Sequence, residues 1–219
     1  MTEITNYITN DFKAIDSQQS VATVKNFFDE ITFSHFPVVE EGIYIGSITA
    51  DDIETFDNDK KIADYRYSFE RFFARNNMIW LDILEIFAKN HTNLIPVLDE
   101  NNKYVGYYEI EDVIKFFHET PFIKEAGRIL IVKKGILEYS VSQIAQIVES
   151  NDGKILGLFV SETGTDSIQV TIKINIGAMN EIIQSFRRYN YEIISEHPED
   201  NYINTLKERS EYLDKYLNI

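Results

Sequence analysis

The stretch that decides the fold is FPVVEEGIYIGSITADDI, residues 36–53, and it recurs as IPVLDENNKYVGYYEIEDV at residues 95–113. In both copies an apolar run containing a proline precedes a turn, and a glycine and an acidic pair follow. Gly46 and Gly106 are 60 residues apart, as are Asp52 and Asp112. Repetition at a fixed period predicts two copies of one supersecondary unit.

Each copy predicts the order β-α-β-β-α. In the first copy Ser20 caps a helix, and the strands that follow form a hairpin leading to a second helix. The helix predicted at 78–89, capped by Asn77, is apolar nearly all round. It is therefore expected to be buried on more than one side, with a partner subunit as its cover. The strands and the last helix are predicted at 36–39, 44–49 and 50–56 in the first copy, and at 71–75, 94–98, 104–109 and 112–118 in the second.

A third pattern occupies residues 127–196 and predicts the order β-α-β-β-α-β, the ferredoxin-like split unit. Ser140 with Gln143 forms a capping box for its first helix, in which Val141 is expected to face the core. Asn175 is expected to cap its second helix. The strands are predicted at 128–132, 154–161, 167–174 and 191–195. The inward residues of the second helix are predicted to be Met179, Ile182, Ile183 and Phe186. Residues 199–219 predict an amphipathic C-terminal helix, which packs on its own domain or forms a short coiled coil.

Composition restricts the function classes. A net charge of −15 disfavours nucleic acid or a membrane surface as a partner. The chain has no cysteine, which removes thiolate catalysis and disulfides. Apolar runs are too short to span a membrane, the N-terminus is unlike a secretory signal, and the lack of cysteine fits a cytoplasmic location, which is the one expected. Residues 57–59 resemble the start of a calcium loop but lack its glycine and distal glutamate, so a solvated linker is expected.

Thr49 and Asp52 admit two interpretations. As Thr-x-x-Asp at a helix start, they predict an N-terminal cap. Their context adds a second interpretation. An apolar-x-apolar-Pro-Val strand, a turn and Gly-x-x-Thr-x-x-Asp together resemble the cystathionine-β-synthase (CBS) domain family. Two copies in register resemble the tandem pair that forms one module, here residues 1–60 and 61–122. The fold class expected is α+β.

The resemblance implies a regulatory module that binds an adenosine-containing ligand, such as AMP or ATP, between the repeats. The resemblance implies that the Asp52 carboxylate would bind the ribose hydroxyls and that the Thr49 hydroxyl would lie near the ribose or phosphate. Backbone groups near Ser34, His35 and Phe36 would face the base. In the second copy Asp112 remains, but Glu109 replaces the threonine. Glu109 either forms a negative rim that repels phosphate or is an ordinary solvated residue at the strand end.

Residues 126–197 resemble the ACT regulatory family in element order. ACT domains that bind amino acids use a glycine-containing loop, and Gly135 lies in the corresponding loop here. Gly135 is equally compatible with a simple turn. The domain could instead serve as a surface through which two subunits pair their sheets. A CBS pair followed by an ACT-like domain resembles the stand-alone, acetoin-utilisation-type CBS proteins. The four histidines form no recognisable site, and no catalytic motif is found. We therefore expect a homodimeric sensor without cofactor, metal or catalysis. The alternative is an assembly module that binds no small molecule.

Overall fold

The computed structural model describes residues 4–175, 178–195, 197 and 200. The chain divides into two compact units, of which one ends at Phe117 and the other begins at His118. The predicted helix at 199–219 lies outside the described residues.

The first unit contains the order β-α-β-β-α twice, which confirms the predicted repeat. Each repeat builds a three-stranded sheet whose short first strand pairs in parallel and whose last two strands form a hairpin. The elements of the first repeat are β1 (Ile15–Asp16), α1 (Val21–Glu30), β2 (His35–Glu40), β3 (Ile43–Thr49) and α2 (Ala50–Thr55). Those of the second repeat are β4 (Ala74–Arg75), α3 (Trp80–Asn90), β5 (Leu94–Leu98), β6 (Tyr104–Glu109) and α4 (Ile110–His118). Short 3₁₀ helices, Ile4–Tyr7 and Ile62–Ser68, precede the segments that lead into the first and the second repeat.

The match between the repeats extends to backbone irregularities. β2 shifts register against β3 between Val38 and Val39, and β5 shifts against β6 between Val97 and Leu98. A bulge at the same place in both hairpins bends both in the same way. The predicted cap of α1 is also present, because the Ser20 hydroxyl accepts a hydrogen bond from the Thr23 N–H at 3.3 Å.

The segments leading into the two repeats cross over. Thr9 precedes the first repeat but pairs with Tyr107 of the second, and Glu70 precedes the second repeat but pairs with Ser47 of the first. Ser47 and Tyr107 follow the repeated glycines. A Cβ atom on Gly106 would lie 2.5 Å from the Thr9 carbonyl oxygen, and one on Gly46 would lie 2.7 Å from the Phe69 Cβ. The glycines recur at a 60-residue spacing because a side chain there would collide with a crossing segment.

The crossing changes the start of the second repeat. The strand predicted at 71–75 is only Ala74–Arg75, because the residues before it pair with the first repeat's sheet. The predicted cap at Asn77 is wrong. The chain turns there, with the Met78 N–H donating to the Arg75 carbonyl at 3.1 Å, and α3 begins at Trp80 with no side-chain cap.

Helix α3 buries one face and leaves the other open in the single chain. Ile83 and Phe87 are buried in the core of the second repeat. Ile79 and Leu81 keep 58% and 55% of their surface exposed. The predicted burial on more than one side is therefore not achieved within one chain.

The second unit has the predicted ferredoxin-like topology. Its four strands form one antiparallel sheet in the order β10-β7-β9-β8, with two helices supplying the apolar face that packs on it. Its elements are α5 (Pro121–Lys124), β7 (Arg128–Gly135), α6 (Val141–Glu149), β8 (Ile155–Thr163), β9 (Ser167–Ile174), α7 (Met179–Arg188) and β10 (Glu192–Ile193). The predicted inward residues of α7 are buried, namely Met179, Ile182, Ile183 and Phe186.

Two details of this unit differ from the prediction. Ser140 does cap α6, but Val141 at its first position is 46% exposed, and the helix buries Ile144, Ile147 and Val148 instead. Asn175 does not cap α7. Its side-chain oxygen accepts the Lys154 N–H at 2.8 Å and so ties the start of β8 to the end of β9, and α7 begins after Ala178.

Candidate functional site

Thr49 and Asp52 lie together where β3 ends and α2 begins. The Thr49 hydroxyl accepts the Asp52 N–H at 2.9 Å, so Thr49 is the N-cap of α2. Asp52 lies in the first helical turn, where the positive end of the helix dipole stabilises a carboxylate. Among the described residues no donor bonds the half-buried Asp52 carboxylate. The cap interpretation of Thr49 is thus confirmed, and the Asp52 carboxylate retains acceptor capacity.

His35 begins β2 directly opposite Thr49. The residue is 7% exposed, and its Nδ1 lies 2.8 Å from the Ser34 hydroxyl. Its Nε2 lies 3.4 Å from the Glu70 carboxylate, and Phe72 meets the ring edge-on with centroids 5.3 Å apart. The candidate site is therefore walled by β2 of the first repeat and by the crossing segment that precedes the second.

The three remaining predicted residues have different environments. Ser34 donates its N–H to the Asn93 side chain at 2.9 Å, so it joins the two repeats. Phe36 is fully buried and packs on Phe27 with ring centroids 4.7 Å apart, so only its backbone is available to a ligand. Asp112 lies in the second repeat and accepts a hydrogen bond from Lys115 at 2.9 Å. The structure brings Ser34, His35, Thr49 and Asp52 together, and Asp112 belongs to the equivalent position of the other repeat.

Charge around His35 is strongly negative. Burial lowers the pKa of His35, whereas the carboxylates of Glu70, Asp52 and Asp51 act to raise it. Burial is the largest effect, so the folded chain favours the neutral imidazole. At neutral pH the site thus combines an uncharged ring with carboxylates on two sides.

The lowered pKa of His35 predicts a pH dependence of stability. Below its ordinary value of 6.5 the unfolded chain takes up a proton that the folded chain resists. The unfolding free energy of the first unit should therefore decrease as pH falls below about 6.5. His35→Leu, which copies Leu94 of the second repeat, should flatten this slope in denaturation curves between about pH 5 and 7.5. Glu70→Gln should steepen the same pH slope, because Glu70 is the main group that favours the protonated ring. A steeper slope in His35→Leu, or a flatter one in Glu70→Gln, would contradict a lowered pKa of His35.

The second repeat builds a different site at the equivalent position. Leu94 replaces His35 opposite the strand end, where Glu109 replaces Thr49. Burial and then the nearby carboxylates, Asp112 first, raise the pKa of Glu109. A partly buried carboxylate opposite leucine cannot supply the hydroxyl cap found in the first repeat. The two clefts are therefore chemically unequal.

Sequence reasoning missed Glu70, Phe72 and Asn93. The first two lie in a segment predicted to begin the second repeat, and nothing local indicates that this segment pairs with the first. Asn93 is the equivalent of Ser34, 59 residues later, as Pro96 is of Pro37. Aligning the repeats could have paired these two positions, because equivalent residues meet at a two-fold axis.

Comparison with known proteins identifies the class of the first unit. The CBS domain family model matches residues 3–57 and 72–119. These segments coincide with the two β-α-β-β-α repeats, and the first unit is therefore a CBS domain pair.

An uncharacterized protein of Methanocaldococcus jannaschii is 25% identical over 141 residues, which is 61% of this chain. The chain spans about half (51%) of that relative's length. A CBS domain pair/ACT domain protein from Thermotoga maritima is 17% identical with a TM-score of 0.49, over 54% of this chain and 98% of that one. The structure of CBSX2 in complex with AMP is 14% identical with a TM-score of 0.45, over 53% and 96%. The cytosolic domain of the Mg²⁺ channel MgtE in complex with ATP is 21% identical with a TM-score of 0.44, over 50% and 46%.

The described part of the chain carries neither a membrane-spanning helix nor a cluster of metal-ligating side chains. None of its helices is long and apolar enough to cross a membrane. Within the same residues no group of three or more histidine and acidic side chains is arranged to hold a metal ion. At the suspected calcium loop, the Asp57 side chain instead accepts the Asp59 N–H at 3.1 Å, which closes a local turn.

Proposed function

We propose that the chain is a non-enzymatic regulatory protein that binds an adenine nucleoside or nucleotide at the first repeat. The observation that carries the proposal is the Asp52 carboxylate, which is half-buried at a helix start and receives no side-chain or backbone donor from the described residues. An ionised carboxylate accepts two hydrogen bonds, and a ribose presents two neighbouring hydroxyl donors.

The surrounding charge favours some adenine ligands over others. Asp51 and Glu70 lie near Asp52 around His35, and a phosphate group placed there would meet like charges. We expect adenosine and AMP to bind more tightly than ATP when no divalent cation is present. The Phe72 ring and the backbone of β2 supply the apolar and polar walls for a planar base.

Regulation requires the ligand to bind two conformations unequally. The Glu70 segment forms one wall of the site and is hydrogen-bonded to β3 through Ser47. A ligand that displaces Glu70 from His35 would act on the one segment that connects the repeats. The fold thus offers a mechanical link between the site and the second repeat.

The proposal is tested by calorimetric titration with adenosine, AMP and ATP. Asp52→Ala should weaken adenosine binding about tenfold or more, since it removes charge-assisted hydrogen bonds. The matched control is Asp112→Ala, the same substitution at the equivalent position of the other repeat, which should bind as the wild type does. Thr49→Ser should keep both the cap and binding. Equal affinity in the wild type and in Asp52→Ala would contradict the assigned site.

An assembly module without a ligand is the second candidate, and the open face of α3 favours it. Ile114 of α4 is also 53% exposed, and α4 meets α3 where the rings of Phe117 and Trp80 stack with centroids 4.9 Å apart. Large exposed apolar side chains in one region are typical of a surface covered by a second chain. A stable homodimer by light scattering, with no heat from any adenine ligand, would favour this function over the first.

A further inference from the structure

A cavity of about 480 Å³ in the first unit lies away from Thr49 and Asp52. It opens at the far end of β3, where Tyr44 and its neighbours line it, and Thr49 is five residues further along the strand. Five residues of strand span roughly 16 Å. The cavity is lined by Ile43, Tyr44, Ile45, Arg66, Arg71, Phe73, Leu98 and Asn102.

The crossing segment separates this cavity from the candidate nucleoside site. Glu70 and Phe72 contact His35, whereas Arg71 and Phe73 line the cavity. This alternation is the ordinary behaviour of extended chain, in which successive side chains point to opposite sides. The two sites therefore share one backbone segment but no lining side chain.

The cavity is basic in a chain whose net charge is −15. Arg66 and Arg71 line it, and Arg75 lies over the Phe73 ring, 4.8 Å from its centroid. Arg75 is held by the side chain of Asn102 at 2.6 Å, which is itself a lining residue. Two guanidinium groups thus line the opening, and a third lies beside it on two of the lining residues.

The arginines differ in how far they are neutralised. Arg66 forms an ion pair with Glu40, and Arg75 donates to the Asp99 carbonyl and to Asn102. Arg71 forms no ion pair with any carboxylate of the described residues. Its positive charge acts on Tyr44 instead: burial raises the pKa of that phenol to about 12, and Arg71 opposes the rise. Arg71 is consequently an unmatched cation beside an aromatic wall.

We propose that this cavity binds a small organic phosphate, with Arg71 and Arg66 on the phosphate and Phe73 and Tyr44 against the organic part. One carboxylate has two oxygens, which a single arginine can satisfy in a bidentate pair. Two guanidinium groups on separate segments match an anion with more acceptor oxygens, as a phosphate monoester has. The volume is within the range of small-molecule sites and exceeds what phosphate alone would fill.

The test is calorimetric titration of the full chain with phenyl phosphate and with inorganic phosphate at 0.15 M salt, a concentration that screens exposed charges over about 8 Å. Phenyl phosphate should bind more tightly than inorganic phosphate. Arg71→Gln should weaken phenyl phosphate binding about tenfold. Glu40→Gln should strengthen it severalfold, because it frees Arg66 from a competing carboxylate.

Three controls keep the result specific. Arg188→Gln removes one positive charge from the second unit, where Arg188 bonds Ser185 at 2.7 Å, and should leave binding unchanged. Asp52→Ala should also leave phenyl phosphate binding unchanged, which separates this site from the proposed nucleoside site. Unchanged Trp80 denaturation curves would show that the first unit, which contains the cavity, is folded in each variant. No binding of phenyl phosphate to the folded wild type, or equal losses in Arg71→Gln and Arg188→Gln, would overturn the proposal.

Discussion

Gly106→Ala is expected to destabilise the first unit by about 2–3 kcal/mol, the upper part of the range for overpacking. The added Cβ would lie 2.5 Å from the Thr9 carbonyl oxygen and 2.7 Å from the Ile8 Cγ2. A backbone oxygen cannot rotate away as a flexible side chain can. Relief therefore requires the crossing segment to move off β6, which breaks the paired hydrogen bonds between Thr9 and Tyr107.

Trp80 is the chain's one tryptophan and belongs to the first unit, so its fluorescence in chemical denaturation reports this unit. Gly42→Ala is the matched control. A Cβ at Gly42 meets nothing within 4 Å, but the residue has φ +80°, so its cost is conformational alone, about 1–2 kcal/mol. A loss at Gly106 no larger than the loss at Gly42 would contradict the steric role of the repeated glycine.

Asn93→Ala is expected to cost about 2–3 kcal/mol of the same unfolding free energy. The Asn93 side chain accepts the Ser34 N–H at 2.9 Å and donates to the Thr32 carbonyl at 2.9 Å, so one side chain ties two backbone groups of the other repeat. Alanine at position 93 leaves the Ser34 N–H and the Thr32 carbonyl without the side chain that they bond. The part-buried Ser34 N–H then costs more than the net value of its hydrogen bond, whereas the exposed Thr32 carbonyl can bond water instead.

Ser34→Ala is the control for Asn93→Ala. It removes the hydroxyl but keeps the backbone N–H bonded to Asn93, so a loss of about 1 kcal/mol is expected. The double variant should lose less than the two single losses together, because both changes act on one network. Additive losses would show that the two residues contribute independently to stability.

Local signals predicted the parts of the fold that depend on neighbouring residues. Ser20 and Ser140 cap the helices for which they were proposed. The hairpins of both repeats were predicted from strand, turn and strand in sequence, because the pairing partners are close along the chain.

The failures come from contacts that are distant in sequence. Residues 71–73 have the composition of a strand, but Glu70 is paired with Ser47, so only the last two predicted residues reach β5. Asn175 looks like a cap from its position before a helix, yet its side chain is bonded to Lys154, 21 residues away. Helix and strand propensities carry no information about such partners.

The candidate site divides in the same way. Thr49 and Asp52 are three residues apart on one helix turn, so their proximity was predictable from spacing. Glu70 and Phe72 enter the site from a segment assigned to the other repeat, and only the assembled pair brings them to His35. The roles of Thr49 and Asp52 toward a ligand stay a prediction.

The crossed pairing has a consequence for how the two repeats can diverge. The contact between Thr9 and Tyr107 is repeated as the contact between Glu70 and Ser47. The same holds at the hairpin tips, where the Tyr44 N–H bonds Asn102 and the Tyr104 N–H bonds Gly42. A symmetric dimer of single repeats would make these contacts with identical sequences, and any substitution would alter both clefts at once. Fusion into one polypeptide removes that constraint. The contacts that hold the halves together can stay matched while one cleft holds a histidine and the other a leucine, so each can be tuned to a different ligand or to none.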